Sequence, residues 1–209
     1  MATIRRLTDS CLIVTTDTGA SLIDPGFHTF DADGIDLDAI GDIQRVLVTH
    51  EHGDHVSVEF VRWLIDRGED VTVYANQSVA DLLAKQDIAV VTDTPDGVGI
   101  EDVLHEITPM GTAPPNRSFT VDGVFTHPGD SYQPTVTAPV LALPLLIPWG
   151  STFESMEFAR RLAPRQAIPI HDFYLSAGGR EWITGMARTV LARSDIELVP
   201  LDWGAGYTV

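Results

Sequence analysis

Apolar residues in this chain follow two rhythms, and these predict its elements. Short apolar or alternating runs bounded by glycine, proline or aspartate predict strands over 11–16, 20–23, 43–48, 71–74, 88–92, 103–108, 118–121, 124–126, 140–144, 165–170 and 196–201. Helical spacing predicts helices over 56–66, 78–85, 153–162 and 181–192. In the first of these Val58, Val61, Trp63, Leu64 and Ile65 supply the apolar positions, and Asn76 or Ser78 caps the second. Asp17-Thr18-Gly19 and Asp122-Gly123 read as hairpin turns. Residues 93–99 form a turn-rich link, and 109–116, with three prolines, a loop. Strands alternate with helices, and there is no repeat, low-complexity tract or linker. The pattern predicts an α/β (α+β) fold in a single domain over 1–209.

Composition narrows the class of protein. At 209 residues and 44% hydrophobic, the chain is long enough for one substantial core. Its 30 acidic residues against 13 basic ones give a net charge of −17, a field that repels phosphate backbones, so no nucleic-acid partner is expected. A small anionic substrate stays compatible with that charge if bound cations offset it. Cys11 is the only cysteine, which rules out an internal disulfide and suits a reducing compartment. Residues 1–6 are not followed by an uninterrupted apolar segment of signal-peptide type. The run over 138–149 is too short and proline-rich to span a bilayer. The expectation is a soluble cytoplasmic enzyme with a small-molecule substrate and no membrane partner; an assembly of identical copies is compatible with it.

The chemistry is concentrated in Thr49-His50-Glu51-His52-Gly53-Asp54-His55, between a predicted strand and a predicted helix. A solvated polar loop would not gather three imidazoles and two carboxylates into six positions of a chain with seven histidines. Imidazole and carboxylate are the ligands of zinc and similar divalent ions. His50 and His52 can converge on one ion while Asp54 and His55 turn toward a second, and such pairs stand roughly 3.5–4 Å apart. Three further strand ends carry candidate groups. Asp24-Pro25-Gly26 offers a carboxylate that could orient a metal-bound histidine or simply form a turn. His28, just beyond, matches no ligand spacing and reads as a surface-loop residue. His127-Pro128-Gly129-Asp130-Ser131 offers an acid able to bridge two ions, and Pro169-Ile170 leads into His171-Asp172. His127 is either a donor to a leaving group or a structural strand-end residue. Tyr132 and Trp149 are either cleft walls or core.

Taken together, His50-x-His52-x-Asp54-His55, Asp24-Pro25-Gly26, Gly129-Asp130-Ser131 and Pro169-Ile170-His171-Asp172 resemble the metallo-β-lactamase superfamily in order and spacing. The short length and the Thr-His-Pro-Gly-Asp-Ser stretch are similar to its L-ascorbate-6-phosphate lactonase-like hydrolases. The resemblance implies a four-layer αβ/βα sandwich, two mixed β-sheets with helices outside and metals at one sheet edge. It implies His50 and His52 on a first ion, Asp54, His55 and His171 on a second, and Asp130 bridging both. The cofactor implied is one or two divalent ions, zinc foremost and manganese as the alternative.

One departure stands out. The resemblance calls for a third histidine on the first ion, from the loop before the Asp130 hairpin, and residues 107–116 contain none. Thr112 falls in that slot by position, and His105 reaches it only if the register shifts. A weakened first site is therefore expected. The leading functional expectation is a hydrolase of a small ester, lactone or phosphate ester, using a metal-activated water that Asp54 positions and deprotonates. Against it stand a single-metal or non-catalytic protein of the same fold and, disfavoured by the acidic charge, a nuclease.

Overall fold

A computed structural model describes residues 1–32, 34–67, 70–146 and 150–209. The first half carries β1 (Thr3–Arg6), β2 (Leu12–Thr16), β3 (Gly19–Ile23), the short α1 (Phe27–Phe30), β4 (Arg45–Val48), α2 (Val58–Asp66), β5 (Thr72–Ala75) and α3 (Gln77–Ala84). The second half carries β6 (Val98–Leu104), β7 (Pro115–Val121), β8 (Phe125–His127), β9 (Val140–Pro144), α4 (Thr152–Leu162), β10 (Gln166–Ile170), α5 (Ala177–Leu191), β11 (Glu197–Leu198) and β12 (Gly206–Thr208). Two mixed sheets result, ordered β12-β1-β2-β3-β4-β5 and β11-β10-β9-β8-β7-β6.

The period-two alternation of strand side chains explains why these strands read as unbroken apolar runs. In β2, Leu12 and Val14 enter the core between the sheets, whereas Ile13 faces the helix layer. Leu47 of β4 likewise points between the sheets, and Val46 and Val48 point outward under α2 and α3. The other sheet repeats the scheme: Val140, Ala142, Ile168 and Ile170 meet the first sheet, while Leu141, Leu143 and Ala167 pack under α4 and α5. Both faces of each sheet are thus covered, giving the four layers that the resemblance implies. Ser57, Asn76, Ser151 and Ser176 cap their helices, each side chain accepting a backbone N–H of the first turn.

Several boundaries differ from expectation. Residues 88–92 contribute only one isolated bridge, Val91 to Tyr74. The strand predicted over 103–108 instead runs Val98–Leu104, paired antiparallel with β7 from Val98–Val121 to Leu104–Pro115. Asp96-Gly97 ahead of it makes the turn, with Gly97 in the left-handed region (φ 75°). The last predicted strand shrinks to Glu197–Leu198, and β1, α1 and β12 are additional elements. Among the described residues no helix is long and apolar enough to cross a membrane.

Candidate metal centre

Parallel strands β3, β4, β8 and β10 all end toward one rim, the usual place for ligand-binding groups in such sheets. Asp24 follows β3, the 49–55 loop follows β4, Asp130 follows β8 and His171 follows β10. The two sheets are tied together there by the Arg117 N–H, which donates to the Thr49 carbonyl at 2.9 Å. Glycines allow the close packing. A Cβ on Gly26 would stand 1.8 Å from the Asp54 carbonyl oxygen, and one on Gly129 (φ 64°) would stand 2.1 Å from Asn116 Oδ1. That Asn116 oxygen accepts the Asp130 N–H at 3.2 Å and so fixes the loop.

Two groups of side chains converge at the rim. His50, His52, His105 and Asp130 form one, and Asp54, His55 and His171 the other; within each, one potential ligand atom per residue lies within 4.8 Å of all the others. His50 Nε2 and His52 Nδ1 are 3.0 Å apart. Two donors on one tetrahedral zinc would stand about 3.3 Å apart, so the spacing suits a shared ion. Asp130 lies between the groups. Its Oδ2 is 3.3 Å from His105 Nε2, and its Oδ1 is 3.3 Å from His55 Nε2 and 2.7 Å from His171 Nε2. Asp54 Oδ2 is 3.8 Å from His55 Nε2. The Nε2 atoms of His55 and His171 are buried and both face Asp130 Oδ1, an arrangement a cation shared with that carboxylate would satisfy. The residues present fit a pair of divalent ions.

Behind these atoms, the opposite ring nitrogens are held by groups that set each ring's orientation. Asp24 accepts the Thr49 N–H at 2.8 Å and the Thr49 hydroxyl at 2.9 Å, and its Oδ2 is 2.7 Å from His55 Nδ1. His50 Nδ1 faces the Thr49 hydroxyl at 3.0 Å, and His105 Nδ1 faces the carbonyl of Glu106. His171 Nδ1 is 3.7 Å from Asp9 Oδ1. Asp9, Asp24 and His171 all have left-handed backbone (φ 44°, 52° and 62°), a costly conformation that aspartate and histidine tolerate better than most residues.

Charge separates the two groups. Burial pulls His55 down, but the carboxylates of Asp130, Asp24 and Asp54 outweigh it and hold the imidazole well above its ordinary range. His171 is treated the same way by Asp130 and Asp9 and is pushed up to about 9. Burial would raise Asp130, yet His171 and His55 hold it well below the usual carboxylate range. His50 and His52 go the other way: burial, reinforced by neighbouring histidines, lowers both.

The structure brings together His50, His52, Asp54, His55, Asp130 and His171, and it adds His105. The expected gap in the first group is therefore corrected. His105 fills it because β6 ends at Leu104 and delivers a fully buried side chain beside Asp130. Thr112 is exposed and only closes a turn, its hydroxyl 2.8 Å from that of Thr108. His28 is also corrected: it is buried, stacked on Phe173 with ring centroids 3.9 Å apart, and its Nε2 lies 4.0 Å from Asp9. His127 is structural. Its Nε2 is 2.9 Å from the Ser10 carbonyl, and its Nδ1 accepts the Gly129 N–H. Tyr132 is not a cleft wall, since its ring packs on Phe158 and its hydroxyl donates to the Pro144 carbonyl. Trp149 lies outside the described residues.

Comparison with known proteins agrees with this architecture. A family model described as a beta-lactamase superfamily domain matches residues 14–139. Protein Rv0786c of Mycobacterium tuberculosis is 27% identical over 209 residues, covering 91% of this chain and 93% of its own length. A crystal structure described as a metal-dependent hydrolase from Parabacteroides distasonis superposes with a TM-score of 0.72 at 22% identity, covering 95% of this chain and 92% of that one. Igni18, a metallo hydrolase from Ignicoccus hospitalis, gives a TM-score of 0.72 at 13% identity, covering 100% and 99%. At these identities the two structures carry a likeness of fold.

Proposed function

This chain belongs to the beta-lactamase superfamily, and on that premise we propose that it is a metal-dependent hydrolase of a small ester, lactone or phosphate ester. The observation that carries the reading is the convergence of two ligand groups on the buried Asp130. His50, His52 and His105 would hold one ion, Asp54, His55 and His171 the other, and Asp130 would reach both. Zinc suits these nitrogen and oxygen donors, and manganese is the alternative. Cations so held supply a Lewis acid that polarises the scissile group and lowers the pKa of water toward about 7.

The protein's own residues have distinct tasks. Asp54 is partly exposed, with Oδ2 3.8 Å from His55 Nε2, and from there it would orient the attacking water and accept its proton. Asp24, through Thr49 and His55, fixes the geometry of the 49–55 loop. His105 completes three imidazoles in the first group, and this favours a competent centre over a degraded one. The test is direct. Protein loaded with zinc or manganese is assayed on 4-nitrophenyl acetate, a γ-lactone and 4-nitrophenyl phosphate. Turnover of at least one is expected, abolished by chelator and restored by metal, and Asp54→Asn is expected to lower it by roughly 10²–10⁴-fold. Metal-loaded protein inert toward all three would reduce the reading to a metal-binding role.

A further inference from the structure

We propose that Phe27, His28 and Tyr174 form an aromatic shelf at the Asp54 side of the rim, and that it seats the apolar acyl or aryl part of a carboxylic ester or lactone. This rests on the hydrolase reading and narrows it, setting phosphate esters aside. Phe27 is 41% exposed and Tyr174 77% exposed, though each lies within four residues of a turn or ligand of the centre. Exposed aromatics side by side are uncommon on a soluble surface unless something covers them.

Their position ties them to the site. The Phe27 N–H donates to the Gly53 carbonyl at 3.0 Å, inside the 49–55 loop, and a Cβ on Gly53 would stand 3.1 Å from the Phe27 ring. Tyr174 follows His171 by three residues. Burial, and then the charges of Asp54 and Asp9, raise its phenol, so the hydroxyl sits within their field. His28 joins the two, with ring centroids 4.2 Å from Phe27 and 5.1 Å from Tyr174.

The shelf is also rigid from beneath. His28 stacks on Phe173, Phe173 stacks on Trp203 (5.6 Å, 12°), and the Arg180 guanidinium lies 4.8 Å from the Trp203 ring. Arg180 is anchored in turn by Asp172, 3.0 Å away, which also takes both terminal nitrogens of the buried Arg6. A preorganised aromatic surface of this kind holds a planar or apolar group with little ordering cost. It offers no cation to a phosphate, since Arg6 and Arg180 are both committed to Asp172 and the adjoining side chains Asp9, Asp24 and Asp54 are acidic.

The experiment measures calorimetric binding of phenylacetate, acetate and inorganic phosphate to the metal-loaded protein, alongside hydrolysis of phenylacetyl and acetyl esters of one alcohol. Phenylacetate should bind at least about tenfold tighter than acetate. Phe27→Ala and Tyr174→Ala should each cut that ratio by roughly 3–10-fold, while Tyr174→Phe keeps most of it. Equal binding of phenylacetate and acetate by the wild type would overturn the shelf, as would a preference for phosphate insensitive to either alanine. Because Tyr174 is largely exposed, its variant stays informative if Phe27→Ala fails to fold. Tight phenylacetate binding without turnover of any ester would keep the shelf and sink the hydrolase reading; turnover without any phenylacetyl preference would do the reverse.

Discussion

The two ligand groups share Asp130 but are backed by different chemistry. In the first, the ring nitrogens turned away from the site meet neutral oxygens, the Thr49 hydroxyl for His50 and the Glu106 carbonyl for His105. In the second they meet carboxylates, Asp24 for His55 and Asp9 for His171. The consequence is electrostatic. Burial pushes His50 and His52 of the first group toward the neutral form, whereas the acids around His55 and His171 of the second raise both imidazoles. A metal entering the second group therefore competes with protons more strongly than one entering the first.

Breaking the shared element should have the largest effect. Asp130→Asn removes the charge both groups face, and metal affinity at both should fall by at least on the order of 100-fold, with activity following. Metal analysis after desalting, with calorimetric titration, checks it. Loss at one group alone would mean that Asp130 serves only that one. Changes behind the ligands should be smaller and separable. Asp24→Asn should weaken chiefly the second ion, by roughly 10–100-fold, because it touches His55 directly and reaches His50 only through Thr49. His105→Ala should empty only the first, and equal loss of both ions in either variant would dissolve the distinction between the groups.

How much of this was legible in the sequence varies with distance along the chain. The 49–55 loop was readable because its ligands are contiguous and follow a strand whose apolar run is unbroken. Asp130 and His171 were readable as polar residues at the ends of β8 and β10, once their common rim was implied by the resemblance. His105 was obscured by a register error: the 103–108 segment has the composition of a strand, yet pairing with β7 starts five residues earlier, at Val98. The Asp96-Gly97 turn marks where it begins, since Gly97 takes the left-handed backbone that ends the preceding link just before Val98. No local signal marked His28. It is stacked on Phe173, far along the chain, and its partner Asp9 sits in a left-handed conformation. Four-layer packing was legible only through the family resemblance; the aromatic stack through Trp203 was not legible at all, because its members are far apart in sequence.

The smallest effect, and the sharpest test of the contrast, is the response to pH. His171 rises from the ordinary imidazole value of about 6.5 to about 9, so its protonated form stabilises the metal-free fold. That contribution is fully present below about pH 6.5 and is lost as the pH climbs through about 9. Asp130 acts with the opposite sign. Held well below the carboxylate range, it stabilises above about pH 4 and that share is lost on further acidification. Because His50, His52 and His127, all lowered, lose their stabilising share below about pH 6.5, metal-free protein should unfold most reluctantly near pH 6.5 and become less stable on either side. Metal inverts the upper limb. The proton displaced from His171 makes affinity at the second group rise about tenfold per pH unit between about 6.5 and 9, and His55, raised by the same acids, acts in the same direction. Across the same interval the first group, whose His50 and His52 are already neutral, should change little. Calorimetry in Asp24→Asn and His105→Ala, each reporting one ion, gives the two slopes separately. Parallel slopes would mean that the carboxylates behind His55 and His171 do not set their protonation, and the difference between the groups would be one of position alone.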